Sequence, residues 1–210
     1  MYTLPTFKEK DPAVILEFMK AHSFAMLMAV DAEQRPVATQ IPFLFAEREG
    51  QLYLRGHIMK GNDHHKALEQ NKQVLVVFSG PHAYISASWY ENKQQASTWN
   101  YMSVHARGEL SFLDGEELLK TLDDTTGYYE NNPASPSLYK ELSPEYVMRL
   151  TKAIVAFEIR ITSIEHVFKL SQNRDQKSYE NILAKLEAGD PNAQGVAHEM
   201  RKRKDQLFAS

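Results

Sequence analysis

Residues 24–55 read FAMLMAVDAEQRPVATQIPFLFAEREGQLYLR, and this stretch decides the fold class. Residues 24–30, 37–45 and 51–55 are short apolar, β-prone runs, split by polar turns at 31–36 and 47–50. Runs this short, joined by turns and not by helical crossovers, predict an antiparallel meander. Pro42 lies inside the second run and cannot donate to a ladder. It predicts an edge, a bulge, or a place where something other than a strand approaches.

Working outward, Asp11-Pro12 has the form of an N-cap followed by Pro at the first helical position, and it predicts a helix over 12–21. Downstream, Asn62 is placed to cap a short helix, and strands are expected at 73–79 and 82–88, broken by Gly80-Pro81. A long strand is expected over 98–113, with helices starting at Asp114 and at Ser143-Pro144-Glu145. The alternation of Ile154, Phe157, Ile159 and Ile161 predicts a strand over 153–170, followed by helices over 178–188 and 190–207. Many short strands with few intervening helices predict a mainly antiparallel β-barrel with decorating helices, an α+β arrangement. The expected division is a barrel domain over 1–188 and a helical extension over 189–210 with a basic end, Arg201-Lys202-Arg203-Lys204.

Composition excludes several function classes. Cysteine is absent, which removes disulfides, thiolate metal sites and Cys nucleophiles, so redox chemistry requires a borrowed cofactor. A formal charge of -3 argues against a chain-wide basic field for nucleic acid, leaving the terminal basic run as the feature that could meet DNA. The longest apolar stretches, 24–30 and 74–78, fall far short of the ~18 residues of a membrane-spanning helix. The first ten residues lack the apolar core of a secretory signal, so the expected location is the cytoplasm. Glycine-rich nucleotide signatures and the H-E-x-x-H zinc motif are missing. The eight histidines match no compact ligand set, and no metal is expected.

Four segments are denser in polar and aromatic residues than packing requires. In the first, residues 55–62, a strand runs out through Gly56 and His57 into Lys60, Gly61 and Asn62. A cation behind a glycine turn at a helix N-terminus can hold a phosphate, and the same residues also make an ordinary capped surface turn. Residues 78–90 and 98–105 contain both tryptophans, and aromatics with polar tips suit a flat ring ligand or a subunit interface equally. The fourth, Lys169-Leu170-Ser171-Gln172-Asn173-Arg174, is a polar run after the last long strand.

In this order, G-H-x-x-K-G-N from Gly56, F-S-G-P-H-A-Y-I-S-A-S-W-Y from Phe78, T-W-N-Y-x-x-V-H from Thr98 and F-K-L-S-Q-N from Phe168 resemble the PaiB family of FMN-binding negative transcriptional regulators. The likeness begins at Met1-Tyr2-x-x-Pro5-x-Phe7 and extends to about Asn181. It implies the FMN-binding split β-barrel, related to pyridoxamine-phosphate oxidase, assembled as a homodimer with flavin at the interface. Carried onto this chain, it implies that Gln40, Ile41 and Pro42 with Arg55, Gly56 and His57 line the isoalloxazine and ribityl chain through backbone groups. Lys60, Gly61 and Asn62 would hold the phosphate. Trp99, Asn100, Tyr101 and His105, with Lys169, Ser171, Gln172 and Asn173, would close the pocket, in part from the partner subunit. The family usually has Arg-Ala-Asn-Pro-x-Trp where this chain has Lys60-Gly61-Asn62-Asp63-His64-His65, and Lys keeps the cation while losing the bidentate fork. The implied function is a flavin-linked negative transcriptional regulator, with a flavin-dependent oxidoreductase using FMN and NAD(P)H as the alternative.

Overall fold

The computed structural model describes residues 1–208 apart from Thr3, so the last two residues of the 189–210 extension lie outside the described residues. Among the described residues, seven strands form one sheet in the order β2-β1-β5-β6-β7-β4-β3. They are β1 (Phe24–Val30), β2 (Pro36–Pro42), β3 (Leu44–Arg48), β4 (Gln51–Met59), β5 (Gln73–Ile85), β6 (Thr98–Leu113) and β7 (Ile154–Lys169). The helices are α1 (Pro12–Ala21), α2 (Asp63–Gln70), α3 (Gly115–Glu130), α4 (Pro144–Ala153), α5 (Gln176–Glu187) and α6 (Pro191–Leu207). The chain divides into two compact units, one of residues 22–78 and 105–164, the other of 1–21, 79–104 and 165–208.

In the first unit β1 and β2 pair antiparallel from Phe24 opposite Pro42 to Val30 opposite Pro36. The turn between them closes on Asp31, whose carboxylate accepts from the backbone N–H groups of Glu33 at 3.0 Å and Arg35 at 2.8 Å. β3 and β4 pair from Leu44 opposite Arg55 to Arg48 opposite Gln51, leaving Glu49 and Gly50 at the tip. Both have positive φ, 53° and 75°, the two-residue geometry that matches strand twist. β4 also pairs antiparallel with β7, from Tyr53 opposite Arg160 to Met59 opposite Ile154. Although β2 and β4 lie far apart in the strand order, a Cβ on Gly56 would stand 3.3 Å from the Pro42 carbonyl oxygen and 3.5 Å from Ile41 Cδ1. Glycine therefore lets the two strands approach. Phe43, Phe78 and Phe157 fill the interior of this unit, with ring centroids 6.1 and 6.2 Å from Phe43.

In the second unit α1 buries Phe18 and Met19, and Phe18 packs on Phe168 at 5.1 Å between centroids. α5 and α6 bury Tyr179, Ile182, Leu183, Leu186, Val196, Ala197 and Met200. The Tyr179 hydroxyl donates to the Met200 carbonyl at 2.8 Å. Both helices start on aspartates, Asp175 and Asp190, whose side chains accept from Ser178 and Ala193.

The boundaries differ from the sequence expectation at several places; β5, for one, ends at Ile85 and not at Ser88. The run 37–45 is two strands, because Phe43 turns fully into the core and donates its N–H to Ser23 O at 2.9 Å. β4 does not stop at Arg55 but runs to Met59, so Gly56 and His57 are strand residues and the turn is Lys60-Gly61. Gly80-Pro81 does not break β5. The ladder from β1 to β5 covers only Leu75 to Val77, so Pro81 lies beyond the stretch where β1 needs a donor.

Candidate functional site

The Lys60-Gly61-Asn62 turn is fixed from both sides. Lys60 donates its backbone N–H to Ala153 O at 2.9 Å, and Gly61 takes φ +77° with nothing within 4 Å of where a Cβ would stand. Asn62 caps α2, its Oδ1 accepting from His65 N at 2.7 Å, while Asp63 Oδ1 accepts from His64 N at 2.8 Å. Two first-turn donors of the helix are thus already satisfied by the chain, and the Asp63 carboxylate reduces the positive end of the helix dipole. What the turn offers an anion is the Lys60 ammonium, exposed and in no ion pair among the described residues, beside an open glycine. A phosphate monoester fits that donor set, held by the lysine more than by the helix.

Gln40 is exposed on β2, and Ile41 is buried. On β4 the buried Arg55 side chain is committed to α3, donating to Glu117 Oε2 at 2.5 Å and Thr121 Oγ1 at 3.1 Å. Its Nε is buried without a hydrogen-bond acceptor, 3.9 Å from Glu158. What Arg55 leaves for a ligand is backbone. Burial pushes the His57 imidazole below its ordinary pKa, so it is neutral at pH 7. His105 lies in this same unit. Sequence reading overlooked His64, which is fully buried, with Nδ1 2.8 Å from Thr39 Oγ1 and Nε2 without a partner. The ~100° separation of adjacent helical residues already put His64 and His65 on different faces, but nothing in the sequence told which faced the sheet.

The remaining expected residues lie in the other unit. Trp99 is 51% exposed, with the His82 ring at 5.9 Å and Tyr84 at 6.0 Å, an aromatic patch on β5 and β6. Asn100 and Ser171 are buried and bonded to each other at 3.0 and 3.1 Å, and the Asn100 amide also reaches Met200 Sδ at 3.5 Å. Gln172 accepts from Leu170 N at 2.7 Å and donates to Phe168 O. These three side chains hold the loop after β7, in which Ser171 takes φ 64°. Lys169 donates to Thr98 Oγ1 and lies 5.4 Å from the Tyr2 ring, and burial lowers its pKa. Tyr101 is half-buried and its phenol is pushed up by burial, so it stays protonated at neutral pH. Asn173 is exposed.

A family model described as "Putative FMN-binding domain" matches residues 1–163. The protein is 36% identical over 204 residues to "Protease synthase and sporulation protein PAI 2" of Bacillus subtilis, covering 97% of this chain and 98% of that one. Among solved structures, the conserved hypothetical protein Rv2991 from Mycobacterium tuberculosis superposes with a TM-score of 0.55 at 12% identity, covering 80% of this chain and 91% of that chain. The flavocytochrome Anf3 from Azotobacter vinelandii gives 0.51 at 15% identity, covering 76% and 68%. The fold is the split β-barrel, and FMN is the cofactor the family model specifies. Matched over most of its length by that model and over nearly all of it by the Bacillus relative, the chain belongs to the PaiB family of FMN-binding proteins.

Proposed function

We propose that the protein is a flavin-linked regulator whose FMN phosphate is anchored by Lys60 and whose flavin ring lies against the backbones of Gln40, Ile41 and Pro42 and of Arg55, Gly56 and His57. The observation that carries the binding mode is the unpaired Lys60 ammonium beside the open Gly61 turn. Gly56 supports it by bringing the Ile41–Pro42 and Arg55–His57 backbones together. When bound, FMN supplies the redox chemistry, and the chain's residues bind and orient it. The regulatory part draws on the Bacillus relative, whose name ties it to protease synthesis and sporulation.

The assembly is a homodimer. Phe24 is 62% exposed and Met59 65% exposed. Residues paired across a ladder share a face, so Phe24 with Pro42, Met26 with Gln40 and Val77, and Met28 with Leu75 form one continuous outward surface. This surface is apolar apart from Gln40, and an exposed patch of this kind marks an interaction site, here filled by a second copy. A second copy brings its Trp99, Tyr101 and Lys169 to the flavin, while Asn100, Ser171 and Gln172 fix the loop that follows Lys169.

Absorbance spectroscopy of the purified protein with and without added FMN tests the reading, followed by anaerobic addition of NADH or NADPH. A flavin spectrum that persists on desalting, without steady turnover of nicotinamide, supports a regulator. Sustained turnover with an acceptor would replace it by the oxidoreductase, and a protein that ignores FMN would overturn both.

A further inference from the structure

His64 is the one fully buried histidine among the described residues, and the binding mode above does not use it. Asn62 caps α2, so His64 sits on its first turn, four residues from the proposed phosphate anchor Lys60. Its Nδ1 meets Thr39 Oγ1 at 2.8 Å, and Thr39 precedes Gln40 on β2. Opposite Thr39 in the ladder is Leu27, fully buried, so this contact lies on the inward side of the sheet. One side-chain contact thus ties the turn carrying Lys60 to the strand carrying Gln40, Ile41 and Pro42.

We propose that His64 is a proton-sensitive positioning residue: its neutral ring, bonded to Thr39, holds α2 and the Lys60-Gly61-Asn62 turn in the arrangement that retains FMN, and its protonation releases them. This rests on the reading that Lys60 anchors the phosphate.

The chemistry follows from the two ring nitrogens. With Nδ1 donating to Thr39 Oγ1, the neutral imidazole leaves Nε2 as an unpaired acceptor, which is tolerable when buried. A protonated ring places a second N–H at Nε2, buried and without an acceptor, together with a positive charge. Relief requires α2 to move so that water reaches the ring.

The surroundings do not compensate. β1 and β2, on which α2 packs, carry no titratable side chain. On α2 itself, Asp63 is the opposing charge, and its Oδ1 is engaged by the His64 backbone. His65 turns to the Gly61 N–H, to Glu69 at 4.0 Å and to Phe112 of β6, and Lys72 lies over that same ring. Burial holds the His64 pKa below the ordinary histidine value, with Asp63 opposing only in part. A depressed histidine favours the folded arrangement at high pH. That advantage shrinks as pH falls below the ordinary value near 6.5 and is gone once it passes the depressed one.

The test compares wild type, His64→Asn, Thr39→Val and Lys60→Ala by FMN and riboflavin titration between about pH 7.5 and pH 5.5, the histidine range. Asn places an amide where Nδ1 stands but does not titrate. The FMN phosphate itself titrates near ~6, so the decisive quantity is the difference between wild type and His64→Asn. Wild-type affinity for FMN should fall about fivefold or more beyond the fall seen in His64→Asn, the smallest coupling usually called allosteric. Thr39→Val should weaken FMN already at the higher pH. Without flavin, amide exchange in α2 should accelerate on acidification in wild type and not in His64→Asn. Identical pH profiles for wild type and His64→Asn, with Lys60→Ala still weakening FMN, would overturn the role of His64 and leave the anchor standing. An unchanged FMN-to-riboflavin ratio in Lys60→Ala would overturn the anchor instead. Acid-insensitive exchange in wild-type α2 would overturn the His64 mechanism whatever the flavin does.

Discussion

Lys60 and Asn62 are two residues apart, yet the proposed binding mode gives them different physical tasks, and their substitutions should separate. Removing the Lys60 ammonium leaves a phosphate without its charged donor, at about 1.5–3 kcal/mol, or roughly 10- to 150-fold in FMN affinity. Riboflavin lacks the phosphate, so its affinity for Lys60→Ala should match wild type. Calorimetric titration of both ligands checks this, and equal losses would place the phosphate elsewhere. Asn62→Ala instead removes the cap from α2 and should cost about 0.5–2 kcal/mol of stability in urea unfolding. The capping role of Asn62 was legible in the sequence because capping chemistry is local. The commitments of Arg55 to Glu117 and of His64 to Thr39 were not, since 62 and 25 residues of chain separate the partners. Nor was the mutual bond of Asn100 and Ser171, 71 residues apart. The resemblance implied that both residues contact the ligand, and the structure adds that both are buried and bonded to each other.

Among the elements, boundaries were legible wherever a helix cap or a hairpin set them locally. α1 starts at Pro12 behind Asp11, whose carboxylate accepts from Ala13 N at 2.8 Å, and β6 spans Thr98–Leu113, the long strand expected there. Legibility failed where a partner strand decides the outcome, as at Gly80-Pro81, which looks like a turn only until the extent of the β1 ladder is known. Glycines show the same division. A Cβ at Gly108 on β6 would stand 2.5 Å from both Arg160 O and Ile159 Cγ2, and backbone cannot yield cheaply. Gly108→Ala should therefore destabilise by about 2–3 kcal/mol or more, the upper range for overpacking. At Gly127 on α3 nothing lies within 4 Å, and Gly127→Ala should stabilise by about 0.5–1 kcal/mol through helix propensity. Urea denaturation of the pair checks both signs at once, and a neutral Gly108→Ala would mean that β6 and β7 can separate there.

For the whole molecule, the questions are its mass in solution and whether it meets DNA. Sedimentation should give twice the 24.1 kDa chain mass, and Phe24→Asp should return the monomer because it charges the outward face of β1. A wild-type monomer at micromolar concentration would sink the dimer. The basic run Arg201-Lys202-Arg203-Lys204 was the one feature that could supply a DNA contact from composition, and the structure changes how it must be tested. Arg201 pairs with Glu187, Lys202 with Glu199 at 2.8 Å, Arg203 with Glu199 at 2.6 Å and Lys204 with Glu180 at 2.9 Å. Cations already facing carboxylates must give up those partners before they can release counterions from a phosphate backbone. Deleting the tail is no longer a clean experiment, because α6 buries Val196, Ala197 and Met200, and Met200 touches both Asn100 and Tyr179. The better variant replaces Arg201, Lys202 and Lys204 by Gln, leaving α6 in place. Fluorescence anisotropy with duplex DNA at two salt concentrations should show the same affinity and salt slope for this variant and wild type. A slope reduced by about 3 would mean that the three cations do reach phosphates, with the dimer doubling the effect, and would return the tail to the regulatory mechanism.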